Sequence, residues 1–132
     1  MAYAAVVMAQ QIFSDLASKR ALLLGAGDTI QKVAEHLSAL GISALGVANR
    51  TLANAESLAD RFNARAMQLT DVAAQLHEYD IVIASTGSAL PVLGKGAVEH
   101  AIKVRRRRPM FIVDIAIPRD VEPEVAELSD VY

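Results

Sequence analysis

The feature that most constrains this chain is a glycine-bearing turn set between an unbroken apolar run and an amphipathic helix. Ala21-Leu22-Leu23-Leu24 carries no polar residue, and Gly25-Ala26-Gly27-Asp28-Thr29-Ile30 follows it directly. Ile30, Val33, Ala34, Leu37 and Leu40 then recur at helical spacing as far as Gly41. An apolar run without alternation predicts a strand buried on both faces, as in a parallel sheet. The spaced residues predict one apolar helix stripe, and a glycine after it is a natural stop. Between such a strand and such a helix the glycines have a physical use. The first permits a tight turn, and the second lets the backbone approach a pyrophosphate. The helix start adds N–H donors and a partial positive charge. Ile30 stands where the fingerprint has its third glycine or alanine, so the helix is expected to stand slightly further from the sheet.

The rest of the chain repeats the same alternation. Residues 3–17 carry Ala5, Ala9, Ile12 and Leu16 at helical spacing. Residues 44–48 read as a second strand, and Thr51 can cap a helix with the face Ala55, Leu58, Ala59 and Phe62. Residues 64–68 suggest a short third strand, and Thr70 can cap a short helix ending near His77. Ile81-Val82-Ile83-Ala84 is a fourth strand, residues 94–105 a helix and residues 110–115 a fifth strand. Alternating strands and helices imply right-handed crossovers. The expected fold is α/β: a three-layer, Rossmann-type doubly wound sheet, mainly parallel, with an extra N-terminal helix. At 132 residues the chain suits one domain with one nucleotide site, spanning 1–132.

Composition narrows the function. With no cysteine the chain has neither disulfides nor a thiol nucleophile. His36, His77 and His100 are scattered, without the spacing of metal ligands. No apolar run approaches a membrane span of ~20 residues, and the opening lacks the basic start of a signal peptide. A soluble cytoplasmic protein is the expectation. The net charge of -2 gives no general attraction to nucleic acid. The run Arg105 to Arg108 lacks interleaved aromatics and reads as a solvated helix end or loop rather than an RNA-binding patch.

Which dinucleotide fits is set after the second strand. NAD-binding domains place an Asp or Glu there for the ribose hydroxyls. Here the strand runs into Asn49-Arg50-Thr51, with no carboxylate between Ile42 and Ala55. A guanidinium attracts a 2′-phosphate and can bond it in bidentate fashion, where a carboxylate would repel it. This favours NADPH. After the fourth strand, Ser85-Thr86-Gly87-Ser88 offers small hydroxyl residues for the nicotinamide side. Asp114 ends the fifth strand, and the loop 115–119 that follows could cover the nicotinamide ring.

Taken together, LLLGAGDT at 22–29, VANRT at 47–51, IVIASTGS at 81–88, VRRRRPMFIVDIAIPRDVEPEV at 104–125 and the closing LSDVY make the chain resemble the NADPH-binding domain of glutamyl-tRNA reductase. The most distinctive stretch is DIAIPRDVEPE at 114–124. The resemblance implies that Gly25, Ala26, Gly27, Asp28, Thr29 and Ile30 form the nucleotide loop. It implies that Asn49, Arg50 and Thr51 hold the 2′-phosphate and that Ser85, Thr86 and Gly87 face the nicotinamide. It further implies a parent enzyme that reduces glutamyl-tRNA to glutamate-1-semialdehyde, on the tetrapyrrole and haem route. In that family a cysteine of an upstream, tRNA-binding catalytic domain forms a thioester, and a later domain makes the homodimer. Neither has a counterpart here, so the chain is expected to be an excised piece without turnover or catalytic residues of its own. Two other readings stay open: another NADPH oxidoreductase of the shikimate dehydrogenase type, and a non-catalytic nucleotide-sensing module.

Overall fold

The computed structural model describes residues 2–88, 90–116 and 120–132. Five strands form one parallel sheet: β1 (Arg20–Leu24), β2 (Ala44–Asn49), β3 (Arg65–Gln68), β4 (Ile81–Ala84) and β5 (Phe111–Asp114). Their order is β3-β2-β1-β4-β5, so the chain winds outward from β1 in one direction and then in the other. The helices are α1 (Ala2–Ile12), α2 (Asp28–Ala39), α3 (Leu52–Phe62), the single turn α4 (Val72–Gln75) and α5 (Lys95–Val104). This is the doubly wound fold expected, extra first helix included.

Alternation along the strands divides the apolar residues between two cores. Ala21, Leu23, Val47, Ile81 and Ile83 point to the layer of α1, α2 and α3. Leu22, Leu24, Ala48, Val82 and Ala84 point to the layer of α4, α5 and the C-terminal segment. From Ala21 to Leu24 both faces of β1 are therefore dry, which is why that stretch shows no polar residue. The first helix adds Ala2, Ala5, Val6 and Ala9 to the former layer. At the far edge the C-terminal residues lengthen the sheet: Met110 pairs with Val131 in parallel, and the Ile112 N–H donates to the Tyr132 carbonyl at 2.7 Å.

Several expectations need correction. The first helix stops at Ile12 rather than continuing to 17, because Asp15 accepts from the Ala17 N–H and holds a separate 3-10 turn over Leu16–Ser18. Ile12 is consequently 40% exposed, and Phe13 takes the inward place. Leu40 lies past the end of α2 and is 43% exposed, off the apolar stripe. Thr70 caps nothing; Gln68 and Asp71 form a reciprocal capping box instead, and 69–78 is a succession of short turns rather than one helix. Thr51 occupies the N-cap position of α3, but its side chain makes no cap hydrogen bond.

The largest correction concerns the arginine run. Arg106, Arg107 and Arg108 are exposed, whereas Arg105 is 2% exposed. Its guanidinium donates to the carbonyls of His77, Tyr79, Arg108 and Pro109 and to the Asp80 carboxylate at 2.8 Å. Five bonds use all five donors of the side chain. Asp80 also accepts from the Arg20 N–H at 3.0 Å, so the pair ties the starts of β1 and β4 to the end of α5. Left-handed backbone at Arg106 and Arg107 (φ 56° and 63°) turns the chain back over this ion pair.

Candidate functional site

Parallel pairing brings the carboxyl ends of β1, β2 and β4 together. Leu24 is in register with Ala48 on one side and Ala84 on the other. The Gly25 N–H donates to the Ala48 carbonyl at 2.7 Å, and the Ser85 N–H to the Leu24 carbonyl at 2.9 Å. The residues after these strands thus share one edge, at the point where the strand order reverses. Open α/β sheets bind ligands in the crevice at such a point.

The nucleotide loop is shaped by its two glycines. Gly25 has φ +115°, and a Cβ there would overlap the Ser85 carbonyl, so no side chain fits. Gly27 is extended and caps α2, and a Cβ on it would meet nothing within 4 Å. The space before the helix is therefore open to a ligand. The first bond of the α2 ladder runs from the Gln31 N–H to the Gly27 carbonyl. The N–H groups of Asp28, Thr29 and Ile30 precede it and have no acceptor within the helix. The Ile30 side chain is fully buried against the sheet, so only its main chain can face a ligand.

Two hollows lie along this edge, and one of them adjoins the helix start. The first, about 450 Å³, is lined by Ala26, Gly27, Asn49, Ser85, Thr86 and Gly87, with Asn54 added. It unites the glycine loop, the second-strand segment and the fourth-strand segment. Arg50 lines the second, about 510 Å³, together with Gln68, Leu69, Thr70, Ser88 and Leu90. Its Nη2 donates to the Ser88 Oγ at 2.8 Å. Arg50 is exposed and, among the described residues, forms no ion pair. Thr51 is exposed beside it and lines neither hollow. Asn49 donates to the Thr51 carbonyl at 3.2 Å, which holds the turn between them.

The fourth-strand segment is braced from behind. Asp120 accepts from both the main-chain N–H and the hydroxyl of Thr86. Asp114 accepts from the N–H groups of Ala116, Asp120 and Val121, so its carboxylate shapes the loop after β5. The expectation that this loop covers a nicotinamide ring falls partly on Ile117, Pro118 and Arg119, which lie outside the described residues. Asn54, Gln68 and Asp120 were not among the residues the sequence singled out, and Ser88, expected on the nicotinamide side, bonds Arg50 instead. Asn54 sits three residues past Thr51, on the first turn of α3, a place that helix spacing could have indicated. Asp120 carried no such signal, because its partner is 34 residues away.

Comparison with known proteins supports the resemblance read from the motifs. The profile of the shikimate / quinate 5-dehydrogenase family matches residues 7–132. A glutamyl-tRNA reductase of Saccharophagus degradans is 62% identical across the whole chain, which covers 31% of that protein. The solved glutamyl-tRNA reductase of Methanopyrus kandleri superposes with a TM-score of 0.92 at 37% identity, over 98% of this chain and 33% of that one. The shikimate 5-dehydrogenase of Thermus thermophilus, solved in complex with NADP(H) and shikimate, is 28% identical with a TM-score of 0.51, over 68% of this chain and 36% of that one. The chain thus spans about a third of the length of the curated relatives it matches.

Proposed function

The chain belongs to the shikimate / quinate 5-dehydrogenase family, and from that premise we propose that it is the NADPH-binding domain of a glutamyl-tRNA reductase. One observation carries the cofactor reading: the open start of α2 and the Arg50 guanidinium stand at the same sheet edge, after adjacent strands in register. Within the family, identity favours glutamyl-tRNA reductase, at 62% over the whole chain against 28% with the shikimate enzyme.

In this reading NADPH supplies a hydride to the substrate of the parent enzyme. Gly25 and Ala26 shape the loop, Gly27 keeps a side chain out of the diphosphate's path, and the N–H groups of Asp28, Thr29 and Ile30 bond its oxygens. Asn49, Arg50 and Thr51 take the 2′-phosphate, and the hollow over Gln68, Leu69 and Thr70 takes the adenine. Ser85, Thr86 and Gly87 face the nicotinamide half. Among the described residues the exposed arginine has no carboxylate partner, which suits a phosphate for a simple electrostatic reason. Its charge is not already neutralised, and a charge-assisted bond is worth about 1.5–3 kcal/mol.

The parent activity follows as part of the same proposal. A cysteine of another domain would form the thioester from glutamyl-tRNA, and NADPH held here would reduce it to glutamate-1-semialdehyde in tetrapyrrole synthesis. The parent would be a cytoplasmic homodimer. No helix among the described residues is long and apolar enough to cross a membrane. Lacking any thiol, the 132-residue chain binds NADPH without turnover. NADPH oxidation by this chain on addition of glutamyl-tRNA would refute that statement.

Fluorescence titration with NADPH and NADH tests the binding. The chain is expected to prefer NADPH. Arg50→Ala should weaken NADPH roughly tenfold to a hundredfold and spare NADH, since the lost contact touches only the 2′-phosphate. Equal losses for the two nucleotides would overturn the reading.

A further inference from the structure

Asp120 is fully buried, 34 residues from the segment it touches. Its position is held from both sides. The Asp120 N–H donates to the Asp114 carboxylate at 2.9 Å, and the Asp120 carbonyl accepts from the Leu93 N–H at 2.9 Å. From this fixed place one carboxylate oxygen accepts the Thr86 N–H at 2.7 Å and the other accepts the Thr86 hydroxyl.

The consequence for Thr86 is chemical. A hydroxyl has one hydrogen and two acceptor lone pairs. The hydrogen is given to Asp120, because a carboxylate can only accept. One lone pair takes the Ser88 N–H at 3.1 Å. What remains, on a residue lining the hollow shared with Gly27 and Asn49, is a single lone pair. Thr86 therefore meets a ligand only as an acceptor. It selects a group that donates, such as a ribose hydroxyl or a carboxamide NH₂.

We propose that Asp120 is a positioning residue of the nucleotide site, fixing the Thr86 hydroxyl as an acceptor for a donor on the nicotinamide half of the cofactor. This rests on the NADPH reading above. Asp120 touches no ligand itself and acts through Thr86.

Asp120→Asn tests it with almost no change of shape. The amide oxygen can still accept the Thr86 N–H, but the amide nitrogen donates to the Thr86 oxygen and turns the hydroxyl hydrogen toward the hollow. NADPH should then bind roughly tenfold more weakly. Adenosine 2′,5′-bisphosphate, which has no nicotinamide half, should bind within about twofold of wild type. A merely structural role would weaken both ligands together. Thr86→Val should reproduce the selective loss and Thr86→Ser should restore binding, and this pair decides the matter if Asp120→Asn does not fold. Variants that bind NADPH like wild type, or lose both ligands equally, overturn the inference alone. A wild-type chain that binds neither ligand overturns it together with the cofactor reading.

Discussion

Arg50 and Arg105 stand at opposite edges of one sheet and do opposite work. Arg105, at the amino ends of the strands, is buried and spends all five donors on four carbonyls and Asp80. Arg50, at the carboxyl ends, is exposed and donates to one hydroxyl, that of Ser88. The same side chain is a structural clamp in one place and a candidate phosphate ligand in the other. The number of acceptors around the guanidinium decides which. Buried, it must be fully satisfied, because an unpaired charge in the interior is costly. Exposed and lightly bonded, it can exchange a hydroxyl for a phosphate at little cost.

The contrast breaks most visibly at the clamp. Arg105→Ala leaves the Asp80 charge without its counter-ion and several carbonyls without a donor, and should cost about 3–5 kcal/mol in denaturant unfolding. Nucleotide affinity of the molecules that remain folded should not change. Next comes the glycine loop, at the same edge as Arg50. Gly25→Ala forces a side chain onto φ +115° and against the Ser85 carbonyl. It should destabilise by about 1–3 kcal/mol and weaken NADPH and NADH alike, as read by unfolding and by titration. Arg50→Ala should show the reverse pattern. Its unfolding free energy should stay within about 0.5 kcal/mol of wild type, while the selective loss of NADPH described above persists.

The smallest effect is a pH dependence near the clamp. Burial raises the Tyr79 pKa above its ordinary value of 10.0, against the opposing pull of Arg65. The tyrosine therefore holds its proton more tightly folded than unfolded. Its contribution is complete below about pH 10 and is lost as pH rises toward the raised value. Tyr79→Phe should flatten the alkaline fall in stability, measured as unfolding midpoint against pH. An unchanged slope would remove Tyr79 from that account. Its ring lies over Gly46 of β2, where any Cβ would strike the hydroxyl.

Local pattern made much of this legible. β4 runs over the residues that its apolar content marks, and β1 and β2 differ from expectation by a single terminal residue. Helix spacing identified Ile30, Val33, Ala34 and Leu37 as buried, and they are. It overshot at Leu40 because periodicity tells which face turns inward and not where the helix ends. Four like residues in a row carry no periodicity at all, so nothing in the run distinguished Arg105 from its neighbours.

The order of residues by itself determined the alternating strands and helices, the glycine loop, and the absence of a carboxylate where NADH would require one. Those are short-range properties, written in polarity, spacing and side-chain size. Tertiary structure alone decided that Arg105 faces Asp80, that Arg50 reaches Ser88 and that Asp120 lies behind Thr86. Such contacts join residues 25 to 38 positions apart. They exist only because the sheet stacks its strands in the order β3-β2-β1-β4-β5.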